Sequence, residues 1–453
     1  MCAEKIIISD IKSAEKLLGI TYSKSEREQM VQNLEGQILS AKLRRGIELD
    51  NTTPMASKFD PRLPGFQMPS RSDIKLQKRD IKLPKNKEDI AFASIGEQGK
   101  WIKDGLLTSR KLTEIYLERI ESFESKLECF ATVTKDQALA EADAMDLLTS
   151  AKINLGPLHG IPYGLKDLFD TKGVRTGWGA EPYQNRVPVE DAEIVKRLRA
   201  AGAVILGKTT LGALAYNDIW YGGRTKNPWN LNEGSSGSSA GSASATAAAL
   251  CSFAIGTETL GSITSPSQRC GTTGLRPTFG RVSRQGGMAL CWSLDKIGPI
   301  CRSVEDTGIV LSTLNGYDEN DLSSIRAPFN FDTSKNIKDL VIGYLPEAFE
   351  DGATEVDRAA LKVAMSLGAK VKEVKLEDLP YMSLINILYA EAAAAFEHLT
   401  LSDEDDTLTW QDDGAWPNTF RKARFLSAVD HVQLDRLRYL VMKALDNLFS
   451  EID

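Results

Sequence analysis

The chain has 453 residues, enough for one large α/β domain or two smaller ones, and its 42% apolar and 26% charged side chains are an ordinary globular balance. Its formal charge is −7, from 62 acidic against 55 basic side chains with no basic block, which argues against a nucleic-acid partner. No apolar stretch follows a basic start, and the most apolar region, 243–255, is too short and too rich in Ser and Thr to span a bilayer. No membrane insertion and a cytoplasmic location are therefore expected.

In chain order, residues 10–46 read as two amphipathic helices. Ile11, Ala14, Leu17 and Leu18 share one helical face, as do Met30, Val31, Leu34, Ile38, Leu39 and Leu43, with Ser25 and Glu28 as an expected capping box. These helices also offer a surface to a second copy, which keeps a homodimer open. Five prolines between residues 54 and 84 then mark an arm without periodicity. The division expected is 1–85, an N-terminal helical segment and proline-containing arm, and 86–453, an α/β domain. Helices are predicted over 109–123, 135–148 and 191–201, a buried strand over 203–206, then strand, helix and strand over 340–344, 355–367 and 370–374. Such alternation implies a sheet with helices on both faces.

Several chemistries fall away at once. Six cysteines (Cys2, Cys129, Cys251, Cys270, Cys291, Cys301) include no CxxC pair and read as reduced, buried thiols. The three histidines, His159, His398 and His431, stand alone, so no metal site and no Ser-His-Asp machine is expected; His159, in a turn before Gly160, reads as structural. The stretch from Gly202 to Thr209 satisfies the phosphate-loop pattern, but Ala203-Val-Ile-Leu206 looks like the strand itself and helix precedes Gly202. The element order is wrong for nucleotide binding.

The Gly/Ser segment from Gly234 to Ser242 has the composition of a linker, yet it runs into the Ala-rich stretch 243–250 and then into a second Gly/Ser turn, Thr259-Leu-Gly-Ser262. Small residues there permit close backbone approach and exposed N–H groups. With Gly160-Ile-Pro-Tyr-Gly-Leu-Lys166-Asp167, this text resembles the amidase signature family: a GGSSGGS-like turn with a second serine 24 residues on, as Ser262 follows Ser238. The blocks 270–283 and 293–299 are similar to family text as well, and the resemblance spans roughly residues 90–315.

The resemblance implies a large mixed β-sheet covered by helices on both faces, no cofactor, and a small-molecule amide as substrate. It assigns Ser262 as the nucleophile that forms an acyl-enzyme, Lys166 as the general base and Ser238, in a cis peptide, as the relay between them. Lysine accepts a proton only when neutral, so burial must lower its pKa far below ~10.4. Asp167 would raise it if it pointed the same way, but in an extended strand it points away. The backbone around Thr259, Leu260 and Gly261 would hold the oxyanion, and Ser239, Trp220 and Tyr221 are candidate substrate contacts. Glu391 is a further candidate for the substrate cleft, whereas the acidic run 403–406 reads as a solvated loop.

Three departures stand out. Leu260 replaces a family glycine and is expected to strain or narrow the site, while Glu258 and Thr264 replace a short carboxylate and an arginine that commonly brace the loop. The chain also ends at Asp453 where family members continue, so a truncated C-terminus is expected. The leading reading is a stand-alone amidase that cleaves a carboxamide to carboxylate and ammonia or amine. The alternatives are the glutaminase-type subunit of a tRNA-dependent amidotransferase, which the 85 N-terminal residues fit poorly, and a catalytically impaired binding or scaffold protein.

Overall fold

The protein is described by a computed structural model that covers residues 6–47, 49–76, 81–350 and 352–453; Cys2 lies outside these. Two helices open the chain, α1 (Ile8–Leu18) and α2 (Lys24–Arg45). The capping box of α2 lies two residues earlier than expected. Ser23 accepts the N–H of Glu26 and Glu26 takes the N–H of Ser23, because the turn leaves helix φ/ψ at Ser23 and not at Ser25. The arm that follows holds one short strand, Asp73–Lys75, paired in parallel with Asn330–Asp332.

Helix α3 (Ser109–Leu127) starts where the sequence places it, with the Thr108 hydroxyl accepting the N–H of Lys111, a cap worth about 1 kcal/mol. The body of the molecule is a six-stranded sheet. Its strands are β1 (Phe130–Val133), β2 (Pro162–Lys166), β3 (Val204–Thr209), β4 (Phe253–Glu258), β5 (Thr273–Gly274) and β6 (Lys296–Cys301). Their spatial order is β5-β6-β4-β2-β3-β1, with β4, β2 and β3 parallel and the outer pairings antiparallel. Every residue of β2 and β3 is buried. Since alternate side chains point to opposite faces, both faces of the sheet are covered, and the continuous apolar runs Ala203–Leu206 and Phe253–Ile255 are what such strands require. Helices α4 (Lys135–Ser150), α5 (Glu193–Ala200) and α6 (Ala240–Ala247) are among those that cover it.

The phosphate-loop look-alike resolves as the sequence suggests: Gly202 ends the turn after α5 and Val204–Thr209 is β3. The later strand–helix–strand unit forms as well, over Val341–Tyr344, Glu355–Ser366 and Lys370–Glu373, but it makes a separate two-stranded parallel sheet. Periodicity identifies strands without saying which sheet they join. Among the described residues no helix is long and apolar enough to cross a membrane.

Candidate active site

Parallel strands place the ends of β2 and β4 side by side, and Lys166 and Glu258 are their last residues. Crevices at the carboxyl ends of such strands are where α/β sheets bind ligands. The Gly/Ser segment crosses this end. It is packed, not free: Ser235, Ser238, Ser239 and Ser242 are all buried, and Ser242 ties the start of α6 to the sheet through Thr209 (2.8 Å) and the carbonyl of Ile255 (3.0 Å). Two of its close approaches show why glycine is needed here. A Cβ on Gly237 would stand 1.9 Å from the carbonyl oxygen of Asn217, and one on Gly256 would stand 2.6 Å from Ser239 Oγ. The Gly237–Ser238 peptide bond is cis.

Lys166 is fully buried. Its Nζ lies within hydrogen-bond distance of Ser238 Oγ (2.8 Å), Ser239 Oγ (3.0 Å) and Thr257 Oγ1 (2.8 Å), so every partner is a neutral oxygen and none a carboxylate. Burial therefore drives its pKa well below that of a free lysine, against a smaller upward pull from the charges of Asp295 and Glu258. Asp167 does not join that pull. It faces the other side of the strand end, accepts the N–H of Gly177 (2.9 Å) and pairs with the buried Lys208 at 3.4 Å.

The second Gly/Ser turn joins β4 to helix α7 (Thr264–Cys270), and the N–H of Ser239 donates to the carbonyl of Ser262 (3.1 Å), linking the two turns. Among the described residues the amides of Leu260, Gly261 and Ser262 have no hydrogen-bond acceptor, which leaves them free to meet a ligand. The departures from the family text act differently from what the sequence suggests. Leu260 adopts no left-handed conformation, and its side chain is 62% exposed, so the backbone is not strained by its Cβ. The brace is rebuilt rather than lost. The buried Glu258 carboxylate accepts the N–H groups of Ile263 and Thr264 (both 2.9 Å) and the Thr264 hydroxyl, while its other oxygen meets Arg276 at 3.3 Å.

A cavity of about 670 Å³ opens beside this constellation, within the range of small-molecule sites. Thr257, Thr259, Asp295 and Leu168 line it near the serines, and charged side chains including Arg186, Asp170 and Arg284 line it further out. Part of its wall is the N-terminal arm. Asn51 clamps the backbone of Ala289, donating to its carbonyl (2.8 Å) and accepting its N–H (2.7 Å), and holds Thr52 and Pro54 at the cavity edge. Among the candidate contacts, Ser239 is in the constellation itself. Trp220 and Tyr221 are not cavity-lining; they stack edge-on at 4.9 Å, with the Tyr221 ring against the Gly177 backbone.

Tertiary context relocates other expected features. Glu391 accepts both the N–H (2.9 Å) and the hydroxyl (2.5 Å) of Ser293, and it borders a neighbouring cavity of about 410 Å³ that shares only Trp292 with the first. Within the acidic run, Asp403, Glu404 and Asp406 are exposed, whereas Asp405 is buried against Arg421 (2.9 Å). His159 is buried and bonded to Thr149 and to the N–H of Leu155, a structural role. All five described cysteines are buried and unpaired. Sequence reasoning missed Thr257, which receives a Lys166 hydrogen bond, and Asp295, whose carboxylate takes the Thr259 hydroxyl (2.5 Å) and the amides of Leu290 and Cys291. The sequence blocks around both were visible, but their convergence needs the pairing of β4 with β6.

The profile of the Amidase family matches residues 111–449. The chain belongs to the amidase signature family. The chain is 38% identical over 317 residues to a glutamyl-tRNA(Gln) amidotransferase subunit from Geobacter sp. (strain M21), covering 68% of this chain and 65% of that protein. The corresponding protein of Chromohalobacter salexigens is 40% identical over 322 residues, again 65% of its length. The chain thus matches slightly less than two thirds of each relative. Among solved structures, a protein of a vestigial complex bearing on the origins of an s-triazine catabolic enzyme is 30% identical with a TM-score of 0.73, covering 80% of both chains.

Proposed function

We propose that the amidase cleaves a carboxamide through Lys166, Ser238 and Ser262. Ser262 Oγ attacks the amide carbonyl, its proton passes through Ser238 Oγ to the neutral Nζ of Lys166, and the oxyanion is met by the amides from Thr259 to Ser262. The intermediate collapses as Ser238 returns that proton to the leaving nitrogen, and water then repeats the sequence on the acyl-enzyme. The observation that carries this reading is the 2.8 Å hydrogen bond between the fully buried Lys166 Nζ and Ser238 Oγ. A fluorophosphonate probe tests it. Labelling of the wild type that disappears in Ser262→Ala is expected, and a Ser262→Ala protein still labelled at the wild-type rate would remove the assignment.

Between the two enzyme readings, the relatives favour the amidotransferase subunit over the stand-alone amidase. The two amidotransferase relatives match at 38% and 40% identity across the part of the chain that carries the serines and Lys166. The cavity's outer wall, with Arg186 paired to Asp170 at 2.7 Å and Arg284 nearby, suits a small polar amide such as glutamine better than a long alkyl chain. Ammonia release from glutamine, measured first for this chain by itself and then with the other components of an amidotransferase, separates the two. Turnover of simple aryl or alkyl amides with none of glutamine in either arm would return the stand-alone reading to the lead.

A further inference from the structure

Lys296 is the first residue of β6 and the antiparallel partner of Glu258. Its neighbours Asp295 and Ile297 line the cavity, so the alternation of the strand turns Lys296 to the opposite face, beneath the turn that leads to Ser262. There its Nζ donates to the carbonyl oxygen of Thr259 at 2.9 Å. That carbonyl belongs to the same peptide unit as the N–H of Leu260, one of the free amides offered to the oxyanion.

A charge-assisted hydrogen bond to a peptide carbonyl draws electron density away from the nitrogen and makes its N–H a stronger donor. It also fixes the plane of that peptide, and with it the aim of the N–H. We propose that Lys296 is a positioning residue for the reaction, polarising and orienting the Thr259–Leu260 peptide so that Leu260 N–H meets the developing oxyanion. This rests on the acyl-transfer reading of Ser262.

The charged and titratable groups around Lys296 are few. Asp295 on its own strand, Glu258 on β4 and the Cys291 thiol favour its charge, whereas Arg276 opposes it. Burial outweighs them and lowers its pKa to about 8. The polarising charge is therefore present in neutral solution and lost as the medium turns alkaline.

The experiment compares wild type, Lys296→Met and Lys296→Arg by amide turnover and by the rate of fluorophosphonate labelling over a pH series, with Ser262→Ala alongside. Losing a whole oxyanion donor costs on the order of 100-fold, so Lys296→Met, which weakens one, is expected to lower kcat and labelling about 10-fold with KM nearly unchanged. Lys296→Arg, charged up to about pH 12, is expected to restore the neutral rate and to abolish the decline expected of wild type above about pH 8. Wild-type kcat in a folded Lys296→Met overturns the proposal. So does an alkaline decline in Lys296→Arg that matches wild type, a result that decides the matter even if Lys296→Met fails to fold. If Ser262→Ala kills turnover while the Lys296 variants behave as wild type, only this inference fails. Undiminished labelling of Ser262→Ala removes the reaction assignment and this role together.

Discussion

The proposed base, Lys166, can take a proton only while uncharged, and burial favours that form, with no carboxylate in contact with its Nζ. Burial lowers its pKa, and the nearby charges of Asp295 and Glu258 partly offset that effect. The protonated form gains as pH falls through this lowered pKa, so kcat is expected to fall on the acid side. Removing a negative charge from its surroundings lowers the pKa further. Asp295→Asn should therefore move the acid limb of a kcat–pH profile to lower pH, and a shift to higher pH would contradict the assignment of Lys166. Replacing the base outright, as Lys166→Met, is expected to reduce ammonia release by about 10²- to 10⁴-fold, the usual worth of general base catalysis. Leu260 is the opposite kind of residue. Exposed and free of backbone strain, it gains nothing from becoming the family glycine. Leu260→Gly is expected to leave labelling within about threefold and to cost about 0.4–1 kcal/mol of stability in urea unfolding, through greater freedom of the unfolded chain.

The turn between β4 and α7 is where element geometry governs the chemistry. Glu258 closes it from within by accepting two successive amides at the start of the helix, and Lys296 supports it from the next strand. A hydrogen bond to a buried charged group is worth about 1.5–3 kcal/mol, and truncation would also leave Arg276 without its partner. Glu258→Ala is therefore expected to lower stability by about 3 kcal/mol and to slow fluorophosphonate labelling. Glu258→Gln, which keeps an acceptor for one or both amides, should lose less. Equal unfolding midpoints for wild type and Glu258→Ala would show that the turn holds itself.

For the molecule as a whole, the arm after α2 is the feature that joins distant parts of the chain. Asn51 reaches a backbone 238 residues away and forms both hydrogen bonds of a strand-like pair with Ala289, which seats Thr52 and Pro54 at the cavity wall. It touches neither serine nor Lys166. Asn51→Ala is accordingly expected to raise KM severalfold with kcat little changed and to speed proteolysis within the arm. An unaltered KM would mean that the arm is ornamental to substrate binding.

Much of the chemistry was legible in the sequence because it is local. The spacing of Ser262 after Ser238, the apolar run ending in Lys166 and the helix and strand periodicities are set by neighbours along the chain, and the structure forms those helices and strands within a few residues of where they were expected. Contacts between segments were not legible. That Glu258 compensates for its own substitution, that Lys296 lies under the Thr259 carbonyl, that Asp405 is anchored and that Trp220 and Tyr221 stand off the cavity all depend on strand order and packing. Composition gave no means of choosing a partner for these side chains. Residue types and their spacing carry the family resemblance from which a reaction class is proposed. Only the tertiary structure decided which charges face Lys166 and which amides remain free, since both follow from burial and from pairing between strands far apart in sequence.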